Sequence, residues 1–363
     1  MSGPLASLRV LEMAGLGPCP MAGQYLADLG ADVVVVDRRA GEDISHDVNR
    51  RGKRSVVLDL KTAEGVAEAR ALAGRADVLI EGFRPGVMER LGLGPADLTE
   101  AHPGLIYGRM TGWGQEGPLA ASAGHDLTYL ALTGALHAMG APDRPPEPPL
   151  NLVADYGGGA LFLVMGVLAA LFERGRSGRG QVIDAAMTDG VPALLALQYS
   201  MRATGLWRDE RGVNWLDGGA PWYRCYACRD GKFLAVAALE PPFFTTFLRL
   251  AGLDAGWAAR QMDRAAWPEM AETFAARLAE RDRDAWAAVF EGSDACTGPV
   301  LSWTEAPEHP HMVARGVFRT HQGVLQAVPA PRFSRSVTDM PEMGRETGAD
   351  MARFRSGGLW AER

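Results

Sequence analysis

The chain is poor in lysine, in cysteine and in long apolar runs, and each shortage excludes something. Lys53, Lys61 and Lys232 are its three lysines, and every other basic residue is an arginine, a skew read as codon bias. Four cysteines, Cys19, Cys225, Cys228 and Cys296, are too few and too scattered to staple 363 residues, so the expected setting is a reducing cytoplasm. Cys225-Tyr-Ala-Cys228 has the spacing of half a zinc site, but no second CxxC or His pair stands near it to complete four ligands. No metal is expected there, only two small apolar residues on a hairpin that ends at Asp230-Gly231. The opening Met-Ser-Gly-Pro lacks the charged and apolar regions of a secretory leader. The longest apolar run, Ala160 to Phe172, has 13 residues, or 16 with Gly157 to Gly159, short of the ~20 that span a bilayer, so no membrane segment is expected. With 37 basic against 44 acidic residues the net charge is −7, which argues against nucleic acid as a partner.

What is present is a folded chain long enough for two domains, 47% apolar and 22% charged. Its first 120 residues alternate strand-like stretches (Leu8 to Met13, Asp32 to Val36, Val56 to Leu60, Asp77 to Glu81, Leu105 to Met110) with helical ones (Cys19 to Leu29, Thr62 to Ala73). That alternation implies βαβ units and a Rossmann-like, mostly parallel sheet covered on both faces. The turn Gly15-Leu16-Gly17-Pro18 begins like a dinucleotide fingerprint but has Pro18-Cys19-Pro20 where the third glycine belongs, a poor match to NAD or FAD binding. The expected layout is a large α/β domain over 1–190, a linker over 191–214, a small α+β domain over 215–310 and a return segment over 311–363.

Four features carry chemistry. Arg50, Arg51, Lys53 and Arg54 place four cations in five positions, a pattern suited to phosphate oxygens. Gly82-Phe83-Arg84 follows a strand, where open α/β sheets bind ligands, and sets an aromatic ring beside a cation. His125 heads an apolar helix after a Gly-rich loop. Asp155 reads as the N-cap of another, followed by Gly157-Gly158-Gly159, glycines costly in a helix and therefore read as giving a ligand access to free N–H groups. Whether the helix terminus lowers the Asp155 pKa or burial raises it stays open at this point. Asp126 is read as structural.

The segments Leu105 to Gly108, Thr111 to Pro118, Gly124-His125-Asp126, Pro148 to Asp155 and Gly178 to Asp184 resemble, in order, the class III CoA-transferase (CaiB/BaiF) superfamily and within it the α-methylacyl-CoA racemases. The resemblance implies an interlocked homodimer acting on acyl-CoA in lipid metabolism. It implies that CoA, part of the substrate rather than a cofactor, lies on Arg38, Arg51, Leu58, Lys61, Gly82, Phe83, Arg84 and Arg90. His125 and Asp155 are then the acid/base pair that inverts C2 of a 2-methylacyl-CoA through an enolate. Glu240, in Ala238-Leu239-Glu240-Pro241, orients His125 from the partner subunit, and the N–H groups of Tyr156 and Gly157 meet the enolate charge. The alternative is a CoA transferase with Asp155 as nucleophile, forming an acyl anhydride.

Overall fold

The computed structural model describes residues 3–360, which divide into two compact units. The first comprises the chain up to Thr133, Leu150–Leu194 and Val313 onward; the second comprises Gly134–Pro149 and Leu195–Met312. The boundaries differ from the expected ones at several points. Residues 191–194 close a helix of the first unit, 195–214 fold with the second and include helix Ala196–Ala203, and the proline-rich 134–149 belongs to the second unit as well. Proline-rich loops carry no periodicity that reveals such membership.

The first unit is built on six parallel strands, β1 (Arg9–Met13), β2 (Asp32–Asp37), β3 (Lys53–Val57), β4 (Val78–Glu81), β5 (Ile106–Thr111) and β6 (Val182–Ala186), in the order β3-β2-β1-β4-β5-β6. Its helices up to Leu194 are α1 (Pro18–Asp28), α2 (Ala63–Ala73), α3 (Val87–Arg90), α4 (Pro95–Thr99), α5 (Asp126–Leu132), α6 (Leu161–Ser177) and α7 (Met187–Leu194), with a π-helical segment, Leu152–Ala160, running directly into α6, and a short helix, Met351–Arg355, lies in the return segment. Both sheet faces are covered, which is why Val33 to Val36 form an unbroken buried run. Leu11, Met13, Val34, Val36 and Leu79 pack on α2, while α6 lies across β5, where Gly108 leaves room for Leu163. Starts are marked by Pro18 in the first turn of α1 and by Thr62, whose hydroxyl accepts the Gly65 N–H at 3.0 Å before α2.

β3 begins three residues earlier than expected, and the reason is electrostatic. Lys53 and Arg54 are strand residues, and all four clustered cations are paired within the unit: Arg50 with Asp37, Arg51 with Asp28, Lys53 with Glu12 and Arg54 with Asp32. The apolar helix also proves longer than its sequence run. Leu152–Ser177 is 26 residues of continuous helix containing an 18-residue stretch of mean hydropathy 1.8, long and apolar enough to cross a membrane by length and composition alone. Leu163, Val164, Val167 and Ala170 are nevertheless buried in the unit, as in the core helix of a globular domain.

The second unit holds a three-stranded antiparallel sheet, β7 (Tyr223–Ala227), β8 (Phe233–Ala237) and β9 (Thr297–Pro299), with helices α8 (Ala196–Ala203), α9 (Pro241–Ala251), α10 (Trp267–Leu278) and α11 (Arg283–Phe290). Its core is aromatic: Trp222 and Trp267 meet edge to face at 5.9 Å and both donate to the Gln261 carbonyl at 2.9 Å. The β7–β8 turn passes through Cys228 and Gly231, the latter at φ +74°.

The return segment contributes a hairpin, β10 (Phe318–His321) and β11 (Val324–Ala327), then runs along the outer edge of β3. Ser55 N–H donates to Asp350 Oδ2 at 2.9 Å and Gly52 N–H to the Glu342 carbonyl at 2.7 Å, covering an edge that would otherwise be free to pair. Leu359 and Trp360 end buried among the side chains of β1, β2 and α2.

Candidate active site

In the first unit the chain winds outward from β1 to β3 on one side and from β4 to β6 on the other, so a crevice opens where β1 and β4 diverge, beyond their carboxyl ends. A cleft of about 900 Å³ occupies it. Its walls are the residues that follow the strands: Gly15-Leu16-Gly17 after β1, Arg38 after β2, Gly82-Phe83-Arg84 after β4, Gly112-Trp113 after β5 and Met187 after β6. His125 and Asp155 both line it.

His125 precedes the first turn of α5 in extended conformation, its N–H donating to Thr128 Oγ1 at 2.9 Å while its carbonyl accepts the Thr128 N–H at 2.8 Å. The reciprocal pair fixes the backbone and leaves the imidazole exposed to the cleft. Asp155 is placed differently from expectation. It is not an N-cap but the fourth residue of the π-helical segment, whose N-cap is Asn151. Its N–H donates to Asp126 Oδ2 at 2.7 Å, Asn151 Nδ2 donates to its Oδ2 at 3.4 Å, and its carboxylate lies over Gly17, where a Cβ would stand 3.2 Å from Oδ2.

The glycine run also serves another purpose than the expected one. A Cβ on Gly158 would lie 2.8 Å from Val191 N, and one on Gly159 3.1 Å from Met187 Cγ, so these glycines let the π segment press against α7 rather than expose backbone to a ligand. In a π-helix each N–H reaches the carbonyl five residues back, as Leu161 N–H does to Tyr156. The same pattern occupies the Tyr156 and Gly157 N–H groups, so an oxyanion could only share them.

Burial settles the direction of the Asp155 pKa. Loss of water around the half-buried carboxyl raises it above the ordinary aspartate value, the Asn151 bond and His125 lower it, and the neighbouring Asp126 charge raises it further. Tyr129, one turn along α5 from His125, was not singled out by the sequence reading. Its ring fits against Gly112 and Gly124, where any Cβ would overlap it, and meets Trp113 edge to face at 4.7 Å. Burial and the Asp155 charge both push its phenol up. The signal was available in the i, i+4 spacing from His125 and in the paired glycines.

At the other end of the cleft, the Arg38 guanidinium stands 5.6 Å from the centre of the Phe83 ring. The Phe83 N–H donates to Glu81 Oε2 at 2.7 Å, and Glu81 is held in turn by Arg109, which also grips Glu89 with two bonds. The structure thus brings Arg38, Gly82, Phe83 and Arg84 together with His125 and Asp155. It does not bring Arg51, which is buried under the surface and bound to Asp28, Gln326 and the Ala327 carbonyl. Leu58 and Lys61, in the loop after β3, and Arg90, at the end of α3, leave the same edge of the sheet but lie outside the cleft lining. Glu240 belongs to the second unit, as the N-cap of α9. Among the described residues no cluster of three or more His, Cys, Asp or Glu is arranged to hold a metal.

Comparison with known proteins gives the chain's family. The chain is 47% identical over 335 residues to the α-methylacyl-CoA racemase of Mus musculus, covering 92% of this chain and 87% of that one. It is 46% identical to the α-methylacyl-CoA racemase of Homo sapiens, covering 88% and 83%. A solved CaiB/BaiF family protein from Brucella suis superposes with a TM-score of 0.81 at 28% identity, covering 98% of this chain and 99% of that one. The family pattern of CoA-transferase family III spans residues 5–348, and the chain belongs to that family.

Proposed function

We propose that this protein is an isomerase that inverts C2 of 2-methylacyl-CoA thioesters by moving protons on and off opposite faces of that carbon. The observation that carries the reading is the cleft holding both an exposed imidazole, His125, and a half-buried carboxyl, Asp155, whose pKa burial raises above the ordinary aspartate value, two groups able to accept and give a proton. One group removes the C2 proton; the C–H electron pair moves into an enolate; the other group returns a proton to the far face, and the roles exchange in the reverse direction. Each transfer of this kind contributes ~10²- to 10⁴-fold. The close likeness to two α-methylacyl-CoA racemases supports the choice of reaction. The Arg38, Phe83 and Arg84 end of the cleft suits the adenosine and phosphates of CoA.

Glu240 completes this site from a second copy of the chain, steadying the protonated imidazole. A dimer is supported by an uncovered stripe on α6, where Leu161, Met165, Leu168 and Phe172 recur at i, i+4, i+7 and i+11, each 37% to 71% exposed.

The test is deuterium uptake. Each enantiomer of a 2-methylacyl-CoA, incubated with the enzyme in D₂O and no other acid, should gain deuterium at C2. Uptake from neither would dismiss the reading. CoA exchange with an added free carboxylic acid, together with a hydroxylamine-trapped Asp155 acyl anhydride, would put the transferase alternative in its place.

A further inference from the structure

Asp126 adjoins His125 in the chain, yet its side chain is spent on the other acid/base group. Its Oδ2 accepts the N–H of Ala154 at 3.0 Å and the N–H of Asp155 at 2.7 Å. A helix leaves its first N–H groups without internal partners, and the π geometry leaves one more than an α-helix does. Two of those groups are therefore gathered by one carboxylate oxygen from α5. The residue is 8% exposed, and its second oxygen, Oδ1, is fully enclosed without any hydrogen-bond donor. A buried carboxylate left half-satisfied is a poor structural fastener, and a neutral amide or hydroxyl could cap two N–H groups at lower cost.

We infer that Asp126 is a positioning residue for the proposed proton transfer, tying the backbone of Asp155 to the residue next to His125 so that the two groups keep a fixed separation across the cleft. His125 and Asp155 are far apart in sequence and stand on different elements, but the path between their backbones runs through a single side chain. Asp126 also supplies negative charge beside Asp155, acting with burial to favour its protonated form against the pull of His125 and Asn151. The groups facing the Asp155 carboxyl are thus His125 from just before α5, Asp126 and Tyr129 from α5, Asn151 from the N-cap of its own segment, and the uncharged Gly17 from the β1–α1 loop.

The inference rests on the proton-transfer reading, and one experiment separates the two. Deuterium uptake at C2 is followed for each enantiomer separately, from pH 5 to 9, for the wild type, Asp155→Asn, Asp126→Ala and Asp126→Asn. Asp155→Asn identifies the enantiomer whose proton Asp155 removes. Asp126→Ala should slow uptake from that enantiomer by about 10²-fold, the order expected from a misplaced catalytic group, and slow the other markedly less. Asp126→Asn retains an oxygen able to accept both N–H groups, so it should recover most of the rate. With the charge gone, its acid limb for the same enantiomer should move to lower pH. Equal losses from both enantiomers in Asp126→Ala would mean general structural damage and overturn the inference. Should that variant not fold, an Asp126→Asn profile superimposable on the wild type would overturn it as well. A wild type that exchanges neither enantiomer would instead remove the proposed reaction, and this inference with it.

Discussion

A methyl group at position 17 would stand 3.2 Å from Asp155 Oδ2, and the residue's φ of +71° is already one that side chains adopt reluctantly. Gly17→Ala should cost about 1–3 kcal/mol of stability and lower the rate of C2 exchange by about 10²-fold through displacement of the carboxylate. Unchanged exchange would show that the Asp155 carboxylate tolerates movement. The same carboxyl predicts a pH effect on stability. Its folded pKa is raised, so the native state holds the proton more tightly than the unfolded chain. The stabilisation linked to it is complete below the ordinary aspartate value and is lost as pH rises through the raised one. Melting temperatures of Asp155→Asn, which cannot ionise, should gain on the wild type as pH goes from acidic to neutral; a gap independent of pH would contradict the assignment. Part of this residue-level picture was readable beforehand. His125 and Asp155 stood out by their settings, whereas Asp155's true place did not, because nothing in a run of apolar residues and glycines announces five-residue hydrogen-bonding over a three-to-four-residue period. Arg51 misled for a related reason: a cluster of cations looks the same whether phosphates or buried carboxylates answer it.

Among the elements, β1 and α1 are locked together by a buried pair. Lys53 Nζ, from β3, reaches Glu12 Oε2 at 2.6 Å and the Pro20 carbonyl at 2.7 Å, against Gly23 of α1. Burial alone would push the Glu12 carboxyl up, and the Lys53 ammonium opposes it. Lys53→Met strands that carboxylate and should cost about 3 to 5 kcal/mol in urea unfolding, while Lys53→Met with Glu12→Gln should cost less than the single change. Additive losses in the double variant would indicate that the pair is not coupled. The strands best legible in the sequence were β1, β2, β4 and β5, since a parallel strand buried on both faces must be continuously apolar. β3 was misplaced because it opens on Lys53 and Arg54, whose charges are cancelled by Asp32 on the adjacent β2 and by Glu12 on β1 one strand further in, pairings only the fold reveals.

For the whole molecule, the proposed dimer makes a prediction that no single chain could satisfy. His125→Ala and Glu240→Gln should each be nearly inactive alone. Co-expressed, they should recover about a quarter of wild-type activity, because half of randomly paired dimers are mixed and each mixed dimer holds one intact His125 with one intact Glu240 from its mate. No recovery on co-expression would place Glu240 in the same chain's site or outside it. The assignment of 134–149 to the second unit was not foreseeable, since it depends on contacts such as those of Arg211 with the carbonyls of His137, Ala141 and Arg144, some seventy residues away.

In the cleft-bearing unit Leu359 and Trp360 are set among side chains of β1, β2 and α2 that are made nearly three hundred residues or more earlier. A ribosome delivers the β3 edge and that apolar socket long before the segment that covers them. The emerging polypeptide must therefore carry an uncovered sheet edge and an unfilled apolar socket through most of its synthesis, the kind of exposure that favours association between incomplete chains.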